Sequence, residues 1–319
     1  MSGREILNTI EYIGKNGNNI NVPTNMVTFL NIDRENTLSA LLNVVKDNPL
    51  RIFKATRYLL GTTAIGLMPK VERHDLIKDF LPELKTLETM KMRGKNGIDY
   101  LLYVGGDLSL MEMNYVCYEQ ILFGEGYTKS YNDVKGKIIV DAGANIGGFS
   151  LFAAKNGAKY IYAFEPIEGS IEIIKKNAKL NGCEKIIKAV PYALGDKNEM
   201  AKIVSSGSGD VCASMIFTRP GVGTVDIEIK TLDSYAKNIK IGFLKMDVEG
   251  YENNILIGGK KVLSKTKPMM VICAYHKPDD MIVLPNTVLS INKNYNISVV
   301  EDGGEKKIRC ELKRKRWND

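Results

Sequence analysis

The chain has 319 residues, 44% of them hydrophobic and 25% charged, with a formal net charge of +7. That length suits one large domain or a domain with an extension, and the composition is that of an ordinary soluble globular protein with apolar material for a full core. Its five cysteines (Cys117, Cys183, Cys212, Cys273 and Cys310) are odd in number and contain no C-x-x-C pair, which argues against a disulfide framework or a zinc site and suits a reducing cytoplasm.

Residues 1–30 carry no signal-peptide pattern, and no uninterrupted apolar run of about 18 residues exists, so a cytoplasmic chain without a spanning helix is expected. Residues 1–36 are polar and Asn-rich and read as a loosely organised lead-in. Residues 37–67 read as helical: Leu38, Leu41, Leu42 and Val45 fall at helical spacing behind Asn36 or Thr37 as a cap, Pro49 interrupts, and Ile52, Phe53, Leu59 and Leu60 continue. Arg51, Lys54 and Arg57 make that second stretch basic and amphipathic. Such a helix packs against its own domain or a subunit partner more often than it lies on a membrane. One or two short helices are expected over 71–92. Residues 1–97 thus form a mainly helical extension in this reading, available as a homodimer interface, a lid or a docking surface.

From residue 98 the text changes. Tyr100–Val104 is strand-like, and 108–123 fits strand or helix. From 137 onward strands and helices alternate: strands at 137–141, 160–164, 186–192, 243–247 and 268–275, helices at 146–156, 169–181, 231–237, 251–263 and 280–293, and a closing hairpin of 297–300 with 306–312. This pattern predicts an α/β fold with a mostly parallel sheet and an antiparallel hairpin at its end. The dense basic run at the C-terminus (Lys306, Lys307, Arg309, Lys313, Arg314, Lys315 and Arg316) reads as a solvated tail rather than a polyanion site. Residues 205–224, rich in Ser, Gly and Pro, read as a loop over the substrate side.

Ligands of open α/β sheets bind beyond the carboxyl ends of the strands. Asp141 ends the first strand of the regular region, and Gly143, Asn145 and Gly147 follow it in a loop that opens a helix. Glycine permits tight turns and close approach, and Asn tolerates left-handed backbone angles. A dinucleotide loop requires G-x-G-x-x-G, and Asn145 occupies its second glycine position, so that pattern fails. A carboxylate ahead of the loop repels a pyrophosphate but attracts the cationic amino-acid end of S-adenosylmethionine. Glu165, 24 residues after Asp141, ends the next strand, where an acid suits ribose hydroxyls.

In order, the chain carries Val140-Asp-Ala-Gly-Ala-Asn-Ile-Gly147, Ala163-Phe-Glu-Pro166, Asn177-Ala-Lys-Leu-Asn181, Ala193-Leu-Gly-Asp196, Thr231-Leu-Asp233 and Leu244-Lys-Met-Asp-Val-Glu-Gly-Tyr-Glu252. This set, covering roughly residues 137–276, resembles the FkbM family of S-adenosylmethionine-dependent methyltransferases. The resemblance implies a class I methyltransferase domain over 98–319 and O-methylation of a sugar, a glycan or another small hydroxyl compound. It assigns the methionine part of the cofactor to Asp141, Gly143, Asn145 and Gly147, the ribose to Glu165, and the flank of the adenine to the backbone around Ala193 and Leu194.

Lys245, Asp247 and Glu249 alternate, so on a strand they project from one face. His276 follows the next strand and is expected near Asp247. Methyl transfer is an in-line displacement in which the enzyme aligns the nucleophile and takes its proton. His276 is the leading candidate base and Asp247 the next, with Glu249 shared between catalysis and capping of the helix that follows. A divalent metal on Asp247, Glu249 and His276 is a weighed but not favoured reading. Methylation of nitrogen in a protein or nucleic acid is the alternative enzyme class. The Asn/Asp-Pro-Pro-aromatic motif it calls for is absent, and Asp247-Val-Glu-Gly stands in its place, so nucleic acid is not an expected partner. A non-catalytic protein that binds S-adenosylmethionine is the alternative outside enzymes.

Overall fold

The structure, a computed structural model, describes residues 9–14, 19–23, 87–94, 97–105, 127–205, 213–216, 221–302 and 305–313. The chain divides into two compact units, Met1–Val116 and Cys117–Asp319.

The described part of the first unit is a four-stranded antiparallel sheet of β1 (Thr9–Gly14), β2 (Asn19–Pro23), β3 (Leu87–Arg93) and β4 (Asp99–Tyr103), in the order β2-β1-β3-β4. The lead-in expected over 1–36 therefore holds a hairpin, and the end of the stretch expected as helix over 71–92 is a strand. The deciding pattern is a period of two. Met90 and Met92 on β3 pair with Leu102 and Tyr100 on β4, and all four are at most 1% exposed, so one face of this ribbon is fully covered. Tyr100–Val104 supplies a strand as its composition suggests, but to this sheet. The helices expected over 37–67, and the segment 108–123, lie outside the described residues.

The second unit is built on a seven-stranded sheet. Its strands are β5 (Ile138–Ala142), β6 (Tyr160–Phe164), β7 (Ile187–Val190), β11 (Phe243–Met246), β12 (Met269–Cys273), β13 (Tyr295–Asp302) and β14 (Glu305–Leu312), in the order β13-β14-β12-β11-β5-β6-β7. From β12 to β7 the pairs are parallel, and the β13–β14 hairpin adds antiparallel at the β12 edge. Between β5 and β11 the direction of winding reverses, so the strand ends diverge there and open a crevice. A second sheet, in the order β8-β10-β9, joins β8 (Ala193–Gly195), β9 (Glu199–Val204) and β10 (Thr224–Thr231).

Alternation along the parallel strands separates two faces. Val140, Ala142, Leu244, Met246, Met270 and Ile272 pack with Leu232, Ile255, Leu256, Leu263, Leu284 and Val288 in one core. The residues between them, Ile139, Asp141, Phe243 and Lys245, take the other face, where Phe149 of α1 (Gly148–Lys155) stacks on Phe243 at 5.8 Å. Helix α2 (Glu168–Leu180) follows β6, and Asn177 on it donates to the carbonyl of Ile146, which ties down the β5–α1 loop. The helix expected at 251–263 is two, α4 (Glu252–Gly258) and α5 (Lys260–Thr266), after the one-turn α3 (Leu232–Tyr235). The break sits at the Gly258-Gly259 pair, where a Cβ on Gly258 would lie 1.9 Å from the carbonyl oxygen of Gly195. Thr231 caps α3 through Ser234 N–H, and Asp233 accepts from the N–H groups of Lys261 and Val262 at the start of α5. Helix α6 (Asp280–Ile291) leads to the hairpin.

The basic C-terminal run is not all tail. Strand β14 lies between β12 and β13, so Lys307 (5% exposed) and Arg309 (2%) are buried on it, while 314–316 lie outside the described residues. Arg309 reaches Asp133 at 2.9 Å and Glu311 at 2.8 Å. Charge density along the sequence marks a solvated face only when no strand pairing covers it. Arg309→Leu is expected to cost about 2–3 kcal/mol of unfolding free energy in a denaturant melt. The loss is below that for an isolated buried charge, because Asp133 keeps the N–H groups of Lys129 and Ser130.

Candidate active site

The crevice at the ends of β5, β6 and β11 gathers the loop residues. Gly143 (φ 73°), Asn145 (φ 51°) and Gly147 (φ 88°) all take left-handed backbone angles, as their residue types suggest. A Cβ on Gly143 would lie 1.8 Å from the carbonyl oxygen of Asp247, so the loop runs directly against the end of β11. Asn145 donates its N–H to Glu165 Oε2 at 3.0 Å, and its own Oδ1 is buried without a hydrogen-bond partner. Glu165 lies just past the end of β6, and its Oε1 accepts from Ile167 N–H at 2.9 Å. Burial pushes its carboxyl up to about 7 against the lowering effect of these two backbone donors. Ala193 and Leu194 are buried on β8, which pairs in parallel with β10.

Asp141 lies on β5, just ahead of the loop. Its side chain is fully buried, Oδ2 accepts from Ser150 Oγ at 2.7 Å, and Oδ1 faces Lys245 Nζ at 3.3 Å. The register Lys245↔Asp141 on adjacent parallel strands places the pair side by side on one face. Lys245 also donates to the carbonyl of Gly143 at 2.7 Å. Burial lowers the affinity of this amine for its proton, but Asp141 and then Asp247 outweigh it, and its pKa is raised. Ser150 and Lys245 thus both engage Asp141, and Lys245 links it to the loop through the Gly143 carbonyl.

Strand β11 ends at Met246, so Lys245 lies on the strand and Asp247 just past it, while Glu249 sits in the following turn with a left-handed φ of 54°. That turn is held from behind. Glu252, fully buried at the start of α4, accepts from Val248 N–H at 3.0 Å, and Ser214 Oγ donates to the carbonyl of Glu249 at 3.1 Å. Ser214 belongs to the loop expected over the substrate side; 206–212 and 217–220 of that loop lie outside the described residues.

The expected convergence of Asp247, Glu249 and His276 is present. His276 Nε2 lies 3.6 Å from Asp247 Oδ1 and 3.7 Å from Glu249 Oε1, and Nδ1 lies 2.9 Å from Glu252 Oε1. Burial works to lower the imidazole's pKa, but Glu249 and Glu252 beside it, with Asp247, raise it to about 10. At neutral pH the ring is an imidazolium, which is the wrong form for the free base expected of His276. Asp247 accepts from Tyr127 OH at 2.7 Å and Tyr275 OH at 3.4 Å. Burial raises its pKa, yet Lys245, Tyr127 and His276 together hold it below the ordinary value. Tyr127 itself is pushed well up by burial and by Asp247, so its hydroxyl stays a donor. The sequence pattern gives no hint of Tyr127, Tyr275 or Ser150: the partner of Tyr127 lies far along the chain, that of Tyr275 at the neighbouring strand end, and Ser150 is an ordinary helix residue.

Residues 141–296 match the family model of the methyltransferase FkbM domain. The chain is 37% identical over 81 residues to protein arginine N-methyltransferase 1 of Oryza sativa subsp. indica, a match of 23% of this chain and 21% of that protein. It is 27% identical over 178 residues to methyltransferase sdnD of Sordaria araneosa, covering 44% of this chain and 68% of that protein. Among solved structures it is similar to methyltransferase FkbM from Methylobacillus flagellatus KT, with 19% identity and a TM-score of 0.47 over 64% of this chain and 53% of that one. The chain thus spans about a fifth of the length of the rice relative.

Proposed function

With residues 141–296 belonging to the FkbM methyltransferase domain family, we propose that this class I methyltransferase fold transfers a methyl group from S-adenosylmethionine to a hydroxyl of a sugar, a glycan or another small molecule. The observation that carries the cofactor reading is the β5–α1 loop. Its one buried acceptor without a partner, Asn145 Oδ1, suits a cationic or hydroxyl donor and would repel a pyrophosphate. Glu165 spends one lone pair of each oxygen on the backbone and keeps the others for ribose hydroxyls. The strand β8 backbone at Ala193 and Leu194 offers the flank for the adenine.

When bound, S-adenosylmethionine supplies a methyl group on a positively charged sulfur. The residues at the end of β11 supply alignment and a sink for the acceptor's proton. A hydroxyl becomes strongly acidic only as its oxygen gains the methyl, so an ionised carboxylate beside it suffices as base late in the displacement. Asp247, with a side chain 16% exposed, and Glu249, at 26%, face the crevice as such carboxylates, and the imidazolium of His276 holds them together. Tyr127 and Tyr275 fix Asp247 in orientation. The similarity to a protein arginine N-methyltransferase keeps nitrogen acceptors as a second outcome of the same test. Incubation with methyl-labelled S-adenosylmethionine and panels of glycosides, small hydroxyl compounds and peptides tests the reading. Label on a hydroxyl supports it, and label confined to peptide nitrogen overturns its acceptor class.

Glu165 gives this reading a pH signature. Ribose hydroxyls donate to the ionised carboxylate, so the bound state lowers a pKa that starts at about 7 in the free protein. Proton release on binding follows. Affinity for S-adenosylmethionine is expected to rise with pH up to about 7 and to level off above it. Calorimetry at several pH values in buffers of different ionisation enthalpy checks this, and Glu165→Gln is expected to flatten the profile as it weakens binding.

A further inference from the structure

At the crevice end of β11, three ligands converge from two separate segments. Asp247 and Glu249 come from the turn after β11, and His276 from the end of β12. One oxygen or nitrogen of each lies within 4.8 Å of the others. From these residues we infer that Asp247, Glu249 and His276 form a binding site for an oxygen-preferring divalent cation of the Mn²⁺ or Mg²⁺ class.

The spacing is that of ligands around an ion rather than of a hydrogen-bonded trio. The separations of 3.6 and 3.7 Å from Nε2 to the two carboxylate oxygens exceed hydrogen-bond length. Ligands on one cation at bond lengths of about 2.1 Å stand about 3 Å apart at right angles, so a shift of under about an ångström brings Nε2 to that distance from each carboxylate oxygen. The second observation is His276 itself. Its side chain is only 4% exposed, and Nε2 makes no hydrogen bond. A buried imidazole with an unpartnered Nε2 between two carboxylates presents a ligand atom to the centre of the cluster. Behind it, Glu252 Oε1 stands 2.9 Å from Nδ1, the carboxylate–imidazole arrangement that fixes a metal-binding histidine in one tautomer and orientation. Glu252 is fully buried and already accepts from the Val248 N–H, so it serves as the positioning residue rather than a ligand.

Two carboxylates and one imidazole favour a hard to borderline cation over a thiophilic one. The cation replaces the proton on Nε2, and three protein ligands leave further positions for oxygen. Resting on the methyl-transfer reading, those positions suit an acceptor with two neighbouring oxygens, such as a vicinal diol.

Titration of the full chain with MnCl₂, followed by the electron paramagnetic resonance signal of free Mn²⁺, tests the site. One saturable site per chain is expected, weakened more than about tenfold in His276→Gln and Glu249→Gln and about tenfold in Glu252→Gln. Glu249 lies at the rim, so Glu249→Gln is expected to melt like the parent chain without metal, which separates lost ligation from lost folding. No saturable binding in the parent chain, or equal binding in His276→Gln and Glu249→Gln, overturns the site. Calorimetry with S-adenosylmethionine on the same preparation keeps the two readings apart: cofactor binding without Mn²⁺ binding removes the cation site alone.

Discussion

Lys245→Met is expected to lower the unfolding free energy of the second unit by about 3–5 kcal/mol, the range for removing one partner of a buried ion pair. Asp141 is fully buried, and without Lys245 its carboxylate keeps only the Ser150 hydroxyl. A loss of that size is a large part of the 5–15 kcal/mol that holds typical domains, and corresponds to a fall of about 6–20 °C in Tm. The methionine stem fills most of the lysine's volume, so the loss reports the charge and not a cavity. The double variant Asp141→Asn with Lys245→Met removes both charges and is expected to recover part of the loss. A single variant that melts within a degree of the parent would contradict the ion pair as the support of the loop. The same lysine holds the Gly143 carbonyl, so the single variant is also expected to weaken cofactor binding at temperatures where it remains folded.

Gly143→Ala is expected to weaken S-adenosylmethionine binding by ~100-fold or more. A Cβ there meets the Asp247 carbonyl oxygen at 1.8 Å, and φ is 73°, so the substitution forces the loop away from β11 as well as straining the backbone. Left-handed strain of about 1–2 kcal/mol and a steric shift of about 1–3 kcal/mol together come to about a hundredfold, at about 1.4 kcal/mol per factor of ten. The effect lies in the site, and Gly182→Ala shows this by contrast. Gly182 has φ 64° with nothing within 4 Å of its would-be Cβ. It is expected to lose about 1–2 kcal/mol of stability from backbone strain and no cofactor affinity. Equal binding by Gly143→Ala and the parent chain would remove the loop from the cofactor site.

These two positions also show what the sequence reveals and what it hides. The left-handed angles at Gly143, Asn145 and Gly147 are legible because few residue types adopt them cheaply, so the residue names nearly state the geometry. The parallel sheet is legible from period and punctuation. The Asp141–Lys245 pair is not, because it depends on the register of two strands about a hundred residues apart, and a carboxylate beside a glycine loop reads equally well as a ligand. His276 is legible as a neighbour of Asp247 but not as a cation, since its protonation depends on Glu249 and Glu252 arriving from the turn and helix after β11. Tyr127 carries no motif at all. Arg309 and Lys307 read as tail because charge density says nothing about strand order. At the N-terminal end, the alternation in Leu87–Arg93 is a short signal within a longer stretch that suits a helix.

On the proposed function, the crevice at the ends of β5, β6 and β11 binds S-adenosylmethionine, and its loop decides the cofactor. Isothermal titration of the full chain with S-adenosylmethionine, and in parallel with NAD, tests it most directly. Saturable one-to-one binding of S-adenosylmethionine, lost in Gly143→Ala and kept in Gly182→Ala, with no heat from NAD, is the predicted result. Binding of NAD in place of S-adenosylmethionine, or no binding of S-adenosylmethionine by the folded parent chain, would contradict it.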